Sequence, residues 1–180
     1  GGALAMASGT LSATSNLTPG VVNHGIGTIT FDTGAMTIPI KNAAGDDPSS
    51  SSPIDLYFQS ATVTTGTVTN RQVSAAASLV VPSTAKLGLV DGLASRIYVG
   101  YLRDGTNLEP CCWNPIKRKA AGQVTGIFKP DAGATYSTTA LDASADSAGV
   151  IYSASARTGA RIIPIGYIDS VQTTAGTWAQ

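Results

Sequence analysis

From Pro53 to Asp169 the chain breaks repeatedly into short β-branched and aromatic runs cut by Gly, Pro or Asp, and no stretch sustains the period of an amphipathic helix. The strongest run is Arg96-Ile-Tyr-Val-Gly-Tyr-Leu102. It leads to Asp104-Gly105, which suits a type I′ turn into Asn107-Leu-Glu-Pro-Cys-Cys-Trp113, a hairpin that sets Tyr98 near Trp113. Ile54, Leu56 and Phe58 alternate with Asp55, Tyr57 and Gln59, the pattern of a half-buried strand. The Thr/Val-rich run Ala61 to Val68 continues the β tendency, and Ser78 to Val81 reads as a strand stopped by Pro82. Gln123 to Phe128, Val150 to Ser153 and Arg161 to Asp169 complete the set.

Upstream, Ile26 to Phe31 and Ala35 to Ile40 flank Asp32-Thr33-Gly34, a second hairpin signal, with Pro39 expected at an edge or strand end. Ser83 to Ser95 holds Leu87, Leu89, Val90 and Leu93 among glycines and reads as a packed loop with a helical turn. Parallel α/β folds are excluded, because their crossovers need long amphipathic helices. The expectation is an all-β fold, an antiparallel β-sandwich or jelly-roll-like domain. Residues 1–20 lack either period and read as an extended arm, while residues 21–180 form the domain, its main part entered through the polar loop Asn42 to Pro53. Opening on Gly1-Gly2 without Met, the sequence reads as a processed form or a piece of a longer chain.

The surface this fold must present is unusual. Charged residues make up 12% of the chain, about half the usual share of roughly a quarter, so Ser, Thr, Gly and Ala cover much of the exterior. Eleven basic and eleven acidic side chains cancel, which argues against nucleic acid as a partner and favours self-association. No apolar run is long enough for a membrane-spanning helix, so no membrane insertion is expected. Cys111 and Cys112 are adjacent, a spacing that strains a disulfide and does not match a zinc site, so free thiols and no cofactor are expected.

Five blocks occur in order: Ile54 to Thr62, Leu89 to Ile97, Tyr98 to Gly105, Val150 to Arg157 and Gly166 to Trp178. Together they resemble a module of tailed-bacteriophage tail-fibre and head-fibre proteins over roughly residues 53 to 180. The segment Asn114 to Ala121, with its Lys-Arg-Lys run, and the vicinal cysteines depart from that resemblance. The resemblance implies a virion structural protein without catalysis, a homotrimer, with other virion proteins and a host cell-surface glycan as further partners. A capsid decoration or neck protein, or a carbohydrate-binding or depolymerising tailspike module, are the alternatives.

Candidate chemistry is sparse. His24 is the single histidine, and its Asn23-His-Gly-Ile-Gly27 setting lacks a nucleophile elbow. Asp46-Asp47 is short of a calcium loop, and Glu109, Asp131, Asp142 and Asp146 show no spacing that makes a glycosidase pair. Lys117, Arg118 and Lys119 form the one basic run, read either as a solvated face or as a grip on phosphates or on a neighbour's carboxylates. Tyr136, Tyr152, Tyr167 and Trp178 are weighed as a sugar-stacking platform against core packing. Trp178, a large aromatic in a Gly/Thr tail, is expected to anchor on an adjacent chain, and Trp113 joins it as a candidate receptor or subunit contact. Specificity is expected in the loops Pro110 to Gly122 and Asp131 to Gly149.

Overall fold

The computed structural model describes residues 21–22, 24–59, 68–119, 123–131 and 134–179. The proposed arm, residues 1–20, and most of the run Ala61 to Val68 lie outside them. The described residues form β-strands joined by turns and loops, with no helix. The first half holds β1 (Val21–Val22), β2 (His24–Ile26), β3 (Thr30–Asp32), β4 (Ala35–Asn42), β5 (Ile54–Gln59), β6 (Val68–Val73) and β7 (Ala77–Val81). The second holds β8 (Ser95–Asp104), β9 (Asn107–Trp113), β10 (Ile116–Arg118), β11 (Val124–Ile127), β12 (Thr139–Ala140), β13 (Ile151–Ser153) and β14 (Arg161–Ser170).

Three sheets build the body. One runs β1-β5-β6; a second has β4 at its centre, with β2 and β3 along one side and β7 along the other; the largest runs β12-β13-β9-β8-β14. All pairs are antiparallel except β12 with β13. Strand alternation decides what each sheet buries. In β4, Met36, Ile38, Ile40 and Asn42 point inward and their neighbours are half-exposed; in β5, Ile54, Leu56 and Phe58 do the same. The apolar ones among them meet Ile97, Val99, Cys112 and Ile163 of the largest sheet in one core, giving a sandwich-like all-β body. Each such buried side chain stabilises the fold by about 1.5–3 kcal/mol.

The largest sheet is buried on its other face as well. Leu102, Cys111, Trp113, Ile151 and Ile162 form a second core, covered by Phe128 and Tyr136. The adjacent cysteines therefore enter different cores, Cys112 the first and Cys111 the second. This is why β13 and the end of β9 are buried at every position in place of an alternation. Gly100 lies where β8 meets β14 closely: a Cβ there would stand 2.6 Å from the Ile163 carbonyl oxygen.

Several expectations are corrected. Pro39 sits inside a central strand, paired with Ser78 of β7. Its carbonyl accepts from Gly27 N–H at 2.9 Å, so its nitrogen faces the gap between β2 and β3, where a missing donor costs no ladder bond. The loop after Asp104 is Gly105-Thr106, closed by the pair Asp104 and Asn107. Positive φ at Gly105 alone (56°) marks the type II′ arrangement, whereas Thr33 (48°) and Gly34 (82°) adopt type I′ between β3 and β4. The segment Ser83 to Ser95 is a packed loop, but it turns through left-handed residues, Thr84, Leu87, Gly88 and Gly92, with no helical turn. Cys111 to Trp113, expected in a specificity loop, are buried strand residues.

Candidate functional site

One element stands apart from the double-sided body. After β9, the fully buried Asn114 turns the chain: its Oδ1 accepts from Ile116 N–H at 3.0 Å and its carbonyl from Gly149 N–H at 2.8 Å. The chain then forms a separate two-stranded ribbon, β10 against β11, with Ile116 opposite Ile127, Lys117 opposite Gly126 and Arg118 opposite Val124. Phe128 N–H to Pro115 O (2.7 Å) closes one end and Lys119 N–H to Gln123 O (3.0 Å) the other.

The ribbon's two strands differ. β10 is tied to the body: the Lys117 stem lies over Gly149, in the space a Cβ there would take, and Arg118 Nη2 donates to the Ala94 carbonyl at 3.3 Å. β11 carries Val124, Thr125 and Ile127 into solvent, and Ile127, 77% exposed, is the most exposed large hydrophobic residue described. An isolated two-stranded sheet is marginal in water, so this ribbon persists through its anchored strand.

Its charge is one-sided. Between Asn114 and Pro130 the sequence has Lys117, Arg118, Lys119 and Lys129 and no acid, which leaves seven basic residues elsewhere against all eleven acidic ones. Among the described residues, the ion pairs Lys41–Asp47 (2.7 Å), Arg96–Asp169 (2.8 Å) and Arg157–Glu109 (3.0 Å) use cations outside the ribbon.

The other expected contacts lie elsewhere. Trp113 is 2% exposed in the second core, its ring stacked on Tyr98 at 5.4 Å, as the hairpin pairing required. Trp178 is likewise buried in its own chain's main core, and its Nε1–H donates to Ala85 O at 3.1 Å. Both are thereby removed as surface contacts. The tail supplies little core of its own, and loops from elsewhere in the chain hold it: Thr84 N–H donates to Gly176 O, Ala175 N–H to Asp91 Oδ1, and Trp178 N–H to Gly34 O.

The four aromatics weighed as a sugar platform do not converge. Tyr152 enters the main core with its hydroxyl accepting from Ser147 N–H, Tyr136 packs edge-on against Phe128, and Tyr167 lies exposed beneath the Arg96 guanidinium at 3.7 Å. Tyr167 extends the expected Tyr98–Trp113 pair into a row across β9, β8 and β14.

Of the acids considered for chemistry, three hold turns and strands. Asp142 accepts from the Ser144 N–H and hydroxyl, which hold its carboxyl below the usual range; Asp146 accepts from Lys86 N–H; Glu109 is bound by Arg157. Asp169 is likewise held below its usual range by its hydrogen bonds from Arg96. Burial pushes the Cys112 thiol up to about 12 and the Cys111 thiol well above its ordinary value, so both stay protonated near neutral pH. His24 lies in β2. Among the described residues no group of three or more His, Cys, Asp or Glu side chains is placed to hold a metal ion. No described helix is long and apolar enough to cross a membrane. Compared with protein-family models, curated proteins and solved structures, the chain matches none.

Proposed function

We propose that this chain is a non-catalytic structural protein of a tailed-bacteriophage virion, a fibre component or attachment module that assembles with copies of itself as a homotrimer. Other virion proteins and a host-surface glycan are the further partners of this reading. The observation that carries it is the division between a sandwich-like body and a ribbon that leaves Ile127 in solvent. A fibre subunit needs a rigid scaffold and a surface reserved for neighbours, and the sparse charge of this chain suits close packing of uncharged surfaces. The blocks that resemble tail-fibre and head-fibre proteins add to this, since most of their residues fall on β5, β8, β13 and β14 and the loops beside them. Imaging of intact particles with an antibody to this chain, together with peptide mapping of purified virions, tests the reading. Labelled fibres or particle surfaces are expected; particles that lack the chain overturn it.

A further inference from the structure

We infer that the β10–β11 ribbon is the head-to-tail contact through which a second copy of this chain docks, its cations meeting carboxylates outside the ribbon on the neighbour. The inference rests on the self-assembling reading above and names the surface responsible. Charge complementarity carries it. The chain has no net charge, yet four of its eleven basic residues fall between Asn114 and Pro130 without one acid, so the remainder carries the compensating negative charge. Each copy therefore holds both halves of an attractive pair on different parts of its surface. Such a contact joins unlike patches; it is heterologous, the type that closes into a ring when the rotation allows.

The apolar content of the ribbon points to protein as the occupant, in preference to a polyanion. Val124 and Ile127 are exposed on the outer strand, with Lys119 and Lys129 exposed at the two ends of the hairpin. Exposed apolar side chains interleaved with cations are the mixture a protein interface can use, whereas an anionic chain needs the charges but gains little from the exposed Ile. Asp32, Asp46, Asp142 and Asp146 are exposed carboxylates outside the ribbon that can receive it.

Carbodiimide cross-linking, which joins a lysine amine to a carboxylate already in contact, tests this on an equal mixture of ordinary and 15N-labelled full-length protein. Peptides linking Lys117, Lys119 or Lys129 of one isotope to an Asp or Glu of the other are expected. Both Ile127→Asp and the double variant Lys119→Glu/Lys129→Glu are expected to shift sedimentation to the single-chain mass with unchanged circular dichroism. The variants touch exposed positions, and the cross-links are read on the unaltered chain. Assembled wild type with no mixed-isotope link from the ribbon, and variants that assemble as before, would overturn the inference while leaving self-assembly intact. A wild type that stays monomeric overturns both. Monomeric wild type that binds heparin, with binding lost in the double variant, assigns the ribbon to an anionic ligand and also overturns it.

Discussion

The five-stranded sheet and the two-stranded ribbon are neighbours in sequence and opposites in environment. The sheet has a core on each face, so a residue such as Cys111 has no outward choice, while its neighbour Cys112 fills the other side. The ribbon begins one residue after Asn114 and Pro115, and its outer strand is half-exposed or exposed at every position. The contrast teaches that burial and exposure are divided between different elements: the sheet holds the fold, and the ribbon can change its side chains at little cost to folding.

That contrast is broken or sharpened by substitution. Ile97→Ala, in the main core, is expected to destabilise by about 2–5 kcal/mol, against less than about 0.5 kcal/mol for Ile127→Ala; urea unfolding of both measures the gap. Equal losses would place the ribbon in the cooperative core. Next in size, Gly100→Ala forces a methyl group against the Ile163 backbone and is expected to cost about 1–3 kcal/mol, whereas Gly126→Ala in the ribbon meets nothing nearer than 3.8 Å and should be close to neutral.

The sheet also carries a pH signature. Folding raises the two thiol pKa values, so above the ordinary value of 9 the unfolded chain holds fewer thiol protons than the native one. Stability from these groups is complete below that pH and is lost as pH rises toward the folded values, by about 1.4 kcal/mol per thiol per pH unit. Cys112→Ala is expected to flatten this alkaline decline, read from unfolding curves between pH 8 and 10. The same burial predicts that native protein resists a thiol reagent at pH 8 and reacts once denatured. The smallest effect is expected from Lys119→Glu/Lys129→Glu, within about 0.5 kcal/mol for the fold itself. A large loss of monomer stability there would mean that these lysines serve the body.

Much of the body was legible because local pattern and tertiary burial agree. Alternation in Ile54 to Gln59 placed β5, and the run Arg96 to Leu102 with Asp104-Gly105 placed the β8–β9 hairpin and the Tyr98–Trp113 stack. β6 was only grazed at Val68, because Val-Thr-Asn-Arg-Gln-Val is polar and presents a strand that is mostly exposed. Pro39 misled because its cost depends on which flank its nitrogen faces, a fact set by the chain break between β2 and β3. Trp178 misled for a related reason: the pocket that takes it is assembled from loops far away in sequence, around Gly34 and Ala85. The basic run was visible, but the exposed Ile127 was not, since an isoleucine in a strand reads as core until the sheet is seen to have two strands.

Sedimentation equilibrium of the full chain over a wide concentration range, beside its Ile127→Asp variant, bears most directly on the central claim. The account predicts a wild-type mass near three times 18.2 kDa and a variant reduced to one chain with its β spectrum intact. A wild type that remains at 18.2 kDa throughout, or a variant that assembles as the wild type does, would contradict it.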